Sequence, residues 1–213
     1  MCNHYRQALL KGETIPGWSG DQFFEIRIPL RFHNMSPDVY PDREGLVIRL
    51  TDGKPEVDAM RWGFPPPPNA GSHYVTNVRN TKSAFWKPWL KVPHRCVVPV
   101  ERFAEPDPEK PRPRAERWFT RADGEPMLLA GIWRQWEGDR GPKSKPVSGP
   151  HLIFSFLTCE PNAIVAPIHP KAMPVILSPS EAKTWLTAEP ADALKLQKPA
   201  SDDVLVLLER AAS

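Results

Sequence analysis

The sequence has little cysteine, no long apolar run and no strong charge of either sign. Its three cysteines are Cys2, Cys96 and Cys159. An odd number without CxxC spacing indicates neither a disulfide framework nor a zinc ribbon. The longest apolar stretches, such as Leu152–Leu157, fall far short of the ~20 residues that a membrane-spanning helix needs. The first residues, Met1-Cys2-Asn3-His4-Tyr5-Arg6, lack the apolar stretch of a signal peptide. A cytoplasmic protein with no membrane contact is therefore expected. The net charge of +3 permits an anionic partner without demanding one, so nucleic-acid binding has to be read from local patches.

Proline is what the sequence has in excess: 27 of 213 residues, beside 12 glycines. The usual proline share is about 5%. An interior proline costs a helix about 3 kcal/mol, so a helix bundle is excluded and only a few short helices fit. Proline and glycine together stay below the ~25–30% of low-complexity chains. Eight tryptophans and nine phenylalanines supply area for a sizeable core.

Strand signals dominate. Leu46–Leu50 and Val57–Trp62 flank Asp52-Gly53, and Trp118–Arg121 and Met127–Trp133 flank Asp123-Gly124. Asp-Gly between apolar runs predicts a hairpin, because both central residues of the tight turn need positive φ. Further strands are expected at Cys96–Val100, Leu152–Leu157 and Pro174–Leu177; Val204–Leu208 reads as strand or helix. Short helices are expected at Ser180–Leu186 behind an N-cap serine, at Glu160–Val165, and within Asn80–Leu90 ending near Pro88. Exposed proline-rich loops are expected at 65–68, 106–114 and 137–150, none long enough to separate independent domains. The pattern predicts one α+β domain over residues 1–213 with a β-rich core.

Four segments carry candidate chemistry. Removal of Met1 would leave Cys2 with a free α-amine beside its thiol. An α-amine has a pKa near 8, against about 10.4 for lysine, so it attacks an aldehyde at neutral pH. The thiol can then close a five-membered thiazolidine. The plain alternative is a small buried cysteine. Asn77 and Arg79, two apart, share a face if extended. The amide can orient a reacting group and the guanidinium can hold a phosphate. Glu105 stands where a strand is expected to turn, beside Phe103 and Pro106, as an acid–base candidate, with Glu101 as a neighbour of the same type. His169 lies between Pro167 and Pro170 just before a strand, and its ordinary pKa suits proton transfer. Each of these also has a structural reading, as solvated loop or satisfied core residue.

Basic and aromatic residues interleave at Arg61-Trp62-Gly63-Phe64 and from Phe85 to Arg95, the composition of a single-stranded nucleic-acid groove. Trp86 and Trp89 are expected to be core, and Trp62 to contact a base.

Taken together these segments resemble the SRAP family (SOS-response-associated peptidase), the abasic-site-processing proteins. The resemblance rests on Met1-Cys2, Asn34-Met35-Ser36-Pro37, Met60–Phe64, Asn77-Val78-Arg79, Arg95–Pro99, Phe103-Ala104-Glu105, Ala130–Trp133, Thr158–Ala163 and His169–Leu177, in that order. It implies a compact α+β domain with a barrel-like, mostly antiparallel β core. It also implies single-stranded DNA containing abasic sites as partner, held as a thiazolidine between Cys2 and the ring-opened aldehyde. The peptidase in the family's name fits exposure of the N-terminal cysteine, and an imine intermediate would allow weak lyase activity. The family's catalytic residues map to Cys2, Asn77, Glu105 and His169, and its phosphate-binding arginine to Arg79. Arg61, Trp62 and His4 complete the expected DNA contacts. Many members carry Gly-Arg where this chain has Asn3-His4, Tyr and Trp where Ala104 and Pro106 flank Glu105, and His-Asp-Arg-Met-Pro where it has His169-Pro170-Lys171-Ala172-Met173-Pro174. No metal or organic cofactor is implied, and a monomer is expected. A cysteine peptidase acting in trans and a non-covalent single-stranded DNA-binding module are the alternatives.

Overall fold

Strand-forming runs dominate the computed structural model, which describes residues 2–8, 28–68, 71–109 and 115–209. The strands described are β1 (His4–Gln7), β2 (Asp38–Val39), β3 (Glu44–Thr51), β4 (Lys54–Trp62), β5 (Asn77–Val78), β6 (Arg95–Pro106), β7 (Glu116–Arg121), β8 (Met127–Arg140), β9 (Val147–Cys159), β10 (Met173–Pro174), β11 (Ile176–Leu177) and β12 (Leu205–Leu207). Two short helices lie between β11 and β12, α1 (Pro179–Thr187) and α2 (Pro190–Ala193). The result is a single mixed α+β domain. Among the described residues no helix is long and apolar enough to cross a membrane.

The sheet curls on itself. Pairing runs β8-β9-β4-β3-β6, and β6 pairs back to β8, so five strands form a ring at its centre. β1 and β2 extend the sheet from β6. β5 and β10 both attach to the C-terminal end of β9, at residues 156–159.

The first expected hairpin forms. Thr51 pairs with Lys54 across a two-residue loop in which Asp52 (φ 50°) and Gly53 (φ 75°) take the positive φ the turn requires. The second does not. β7 pairs with Arg102–Pro106 of β6, while β8 pairs with Arg95–Val100 of the same strand. The two run end to end along β6, and the Asp123-Gly124 turn is an excursion between them. A turn dipeptide reports local φ only, and the long β6 offers both strands a better partner than each other.

Other boundaries also shift. α1 is capped by Ser178, not Ser180: Ser178 Oγ accepts from the Glu181 N–H (3.2 Å) and Glu181 Oε2 from the Ser178 N–H (3.0 Å). Pro179 is then the first helical residue, where a missing N–H costs nothing. For the same reason Pro88 sits in the first turn of a 3-10 helix, Lys87–Leu90, instead of ending one. Ala163–Ile168 forms turns without a helix, and Leu205–Leu207 is strand. Residues 137–150 are mostly a hairpin, since Arg140 pairs with Val147. Of the other loops, Pro65–Pro67 are half-buried, and residues 110–114 lie outside the described residues.

The ring is filled by Trp62, Phe154, Phe156 and Tyr5, all fully buried. Tyr5 meets Trp62 edge-on at 5.1 Å, and Trp62 stacks on Phe156 at 5.2 Å between centroids. Gly45 makes this possible, because a Cβ there would strike the Tyr5 hydroxyl and touch Val39 and Phe154. Gly45→Ala is therefore expected to cost about 1–3 kcal/mol, as overpacked cores do. Urea denaturation checks it; an unchanged midpoint would mean that Tyr5 has room to move.

Candidate active site

β1 enters the sheet antiparallel to β6, with His4 opposite Ala104 and Tyr5 opposite Phe103. That register brings Cys2, two residues before β1, alongside Glu105, one residue beyond Ala104. Both are buried, each 1% exposed. Glu105 was expected on a turn; it lies within β6, because the strand runs on through Pro106. The Cys2 thiol donates to the His4 carbonyl at 3.3 Å. Burial pushes this thiol well above its ordinary pKa, and the negative charge of Glu105 pushes it further in the same direction.

Asn77 closes the site from another direction. β5 runs parallel to β9, with Asn77 opposite Phe156. The Asn77 Nδ2 donates to the Cys2 carbonyl (2.9 Å) and to Thr76 Oγ1 (2.8 Å). Its Oδ1 is buried and has no hydrogen-bond partner among the described residues. The amide thus has one face on Cys2 and one acceptor in hand. Trp62 is a positioning residue here, its indole N–H donating to the Thr76 carbonyl at 3.0 Å.

His169 arrives by β10. Met173 and Pro174 pair with Cys159 and Thr158, immediately beyond the β9 residues that hold β5. The ring is half-buried. Its Nδ1 lies 2.8 Å from the Ala172 carbonyl and 3.2 Å from the Ala172 nitrogen. Both contacts tie the ring to the Ala172 backbone through Nδ1.

Arg79 follows β5 by one residue and is partly exposed, its side chain at 39%. It is ion-paired with Glu160, whose side chain is exposed. The two line a groove of about 450 Å³ with Lys82, Cys159 and Lys198.

Three expected DNA contacts are placed differently. Trp62 is wholly buried between Tyr5 and Phe156, so it offers no face to a base. Its position in β4 turns it into the ring, a choice that alternation along the strand leaves to partner pairing. His4 is buried and bridges two carboxylates, Glu116 Oε2 at 2.8 Å from Nδ1 and Asp38 Oδ1 at 3.3 Å from Nε2, while stacking on Tyr40. Those contacts occupy both ring nitrogens, and a phosphate would have to displace a carboxylate. Arg61 is half-buried and donates to the Asp42 carbonyl at 2.7 Å. Trp86 is core as expected, whereas Trp89 is half-buried.

Glu160 and Gln197 were not foreseen. Gln197 Nε2 donates to the carbonyls of Arg79 and Thr158, both at 2.9 Å, and its Oε1 accepts from Thr81 Oγ1 at 2.7 Å. It fastens the Arg79 loop to the end of β9. Nothing local in the sequence marks a glutamine 118 residues away as its clamp.

All three cysteines are buried. Burial is the main cause that raises each thiol, with Cys159 pushed up from 9.0 to about 12 and Cys2 and Cys96 also raised. The folded state therefore keeps protons that the unfolded chain releases above pH ~9. This contribution to stability is full below that pH and is lost as pH rises toward the folded values. The urea midpoint is expected to hold from about pH 7 to 8.5 and to fall by about pH 10.5. A flat profile across that range would contradict the burial of the thiols.

The family model described as SOS response associated peptidase (SRAP) matches residues 1–209. Among solved structures, one protein from Bordetella bronchiseptica has a TM-score of 0.73 at 23% identity, over 97% of this chain and 98% of its own. A protein from Bacteroides thetaiotaomicron has a TM-score of 0.61 at 23% identity, over 80% and 76%. A phage-related protein from Bordetella bronchiseptica has a TM-score of 0.62 at 19% identity, over 92% and 87%. At these identities the likeness is one of fold. No curated protein matches the chain.

Proposed function

The chain belongs to the SOS response associated peptidase (SRAP) family, and from that premise we propose that it captures abasic sites in single-stranded DNA as a thiazolidine on Cys2. The observation that carries this reading is the convergence on one buried cysteine: an amide from Asn77 on its carbonyl, and Glu105 brought alongside by the register of β1 on β6. Arg79 beside the groove supports a phosphate contact.

Removal of Met1 frees the Cys2 amine. His169 moves the proton that opens the cyclic abasic sugar to its aldehyde. The amine adds to the aldehyde carbon, steadied by Asn77 Oδ1. Glu105, which takes a proton from the Cys2 ammonium before the amine adds, gives it to the departing hydroxyl, and water leaves as the iminium forms. The sulfur then adds to the iminium carbon while its proton returns to the Glu105 carboxylate. Aldehyde plus aminothiol give thiazolidine plus one water, and Glu105 ends holding the proton that the ammonium gave up. A thiol held protonated by burial needs such a base at the ring-closing step. The same raised thiol disfavours a cysteine peptidase acting in trans, which relies on a lowered thiol pKa. A substrate of this kind implies a protein that works inside the cell.

The test is incubation with single-stranded DNA carrying one abasic site, followed by intact mass. The expected species is the chain without Met1, plus the oligonucleotide, less one water. A chain that keeps Met1, or one that gives no adduct surviving denaturation, overturns the reading.

Glu160 competes with the phosphate for Arg79. An exposed ion pair contributes about 0.2–1 kcal/mol, so Glu160→Gln is expected to tighten single-stranded DNA binding by a few fold. Fluorescence anisotropy measures it; equal or weaker binding would remove Arg79 from the phosphate path.

A further inference from the structure

A second groove, of about 560 Å³, adjoins the Arg79 groove and shares Thr81, Lys82 and Gln197 with it. Its cations are Lys82, Lys87 and Lys91, and no carboxylate stands in its lining among the described residues. All three lysines are exposed. Lys87 and Lys91 bracket the 3-10 turn Lys87–Leu90. The floor is apolar, made by buried Leu90 and half-buried Leu194. Asp192, on the neighbouring α2, is already paired with Lys195 at 2.7 Å. The wall between the two grooves is held by Gln197, bonded at once to the Arg79 and Thr158 carbonyls and to Thr81.

We propose that this lysine groove carries the single strand onward from Arg79, its phosphates against Lys82, Lys87 and Lys91 and its unstacked bases toward the Leu90–Leu194 floor. The inference rests on the reading of the site as one for single-stranded DNA. Continuity with the Arg79 groove and the run of cations favour a nucleic-acid backbone over an acidic peptide. The contact is independent of base sequence, because lysines meet phosphates as point charges and the floor has no hydrogen-bonding pattern to read.

The experiment uses the full chain and a fluorescein-labelled, undamaged oligothymidylate of about 15 nucleotides, with affinity measured from about 50 to 200 mM NaCl. Each phosphate neutralised on a single strand steepens the plot of log K against log salt by about 0.7. Lys82→Gln/Lys87→Gln/Lys91→Gln is expected to flatten the slope by about 2. Lys54→Gln/Lys143→Gln/Lys145→Gln, the same charge change at other exposed lysines, is expected to leave it unchanged. Equal slopes in the wild type and the groove variant overturn the proposal, as does equal flattening in both variants. Groove-dependent binding of an oligoglutamate peptide, with the DNA slope unaltered, overturns it in favour of a protein-binding surface. Abasic-site crosslinking is read separately: an adduct with no groove effect defeats this proposal alone, and a groove effect without an adduct defeats the thiazolidine reading alone.

Discussion

Cys2→Ser is expected to abolish the adduct that survives denaturation while leaving a transient one. After removal of Met1 the serine variant keeps the α-amine, so it can still form an imine with the abasic aldehyde. It lacks the sulfur that closes the ring, and water reverses an imine. The wild type should therefore show a heat-stable band on a denaturing gel, and Cys2→Ser only a band trapped by cyanoborohydride. Cys2→Ala should behave in the same way. Neither change threatens the fold: alanine removes one buried sulfur and serine exchanges it for a hydroxyl that can donate to the same His4 carbonyl, each at a cost of about 1 kcal/mol. A heat-stable adduct from Cys2→Ser, equal in yield to the wild type, would refute ring closure by the thiol.

Glu105→Gln is expected to slow adduct formation by about 10²–10⁴-fold, the range for losing one acid–base group. Glutamine keeps the size of the side chain on β6, but it neither releases a proton to the departing hydroxyl nor accepts one from the Cys2 thiol. Single-stranded DNA affinity should stay within twofold, since Glu105 is buried away from the basic grooves. That split between rate and affinity separates a chemical role from a structural one. Glu101 is the control. It is exposed on the same strand and pairs with Arg6 at 3.3 Å, so Glu101→Gln should leave the rate unchanged. A Glu105→Gln rate within threefold of the wild type would take Glu105 out of the reaction.

Both predictions depend on contacts that only partly show in the sequence. Apolar alternation and the Asp52-Gly53 dipeptide sufficed for the β3–β4 hairpin, because a two-residue turn and its flanking strands are local. The same signal misled at Asp123-Gly124, where the partner of both strands is β6. Trp62 shows the same limit on the scale of one side chain. Composition marked it as an aromatic beside a cation, suited to a base. Its face of β4 turns it into the ring instead, and its indole N–H serves Asn77 through the Thr76 carbonyl. His4 shows it again: the sequence offered it to a phosphate, but Asp38 and Glu116 close on its ring from β2 and β7.

By itself the sequence determined the β-rich α+β class, the exclusion of long helices by proline, and the identity of the chemically capable residues, since these follow from local propensity and functional-group chemistry. Only the tertiary structure decided which of them meet. The register of β1 on β6 sets Cys2 beside Glu105, and the seating of β5 on β9 puts the Asn77 amide on the Cys2 carbonyl. A period of two along a strand assigns side chains to faces but names no partner strand. Partners as far apart in the chain as Cys2 and Asn77 are chosen by closure of the whole ring.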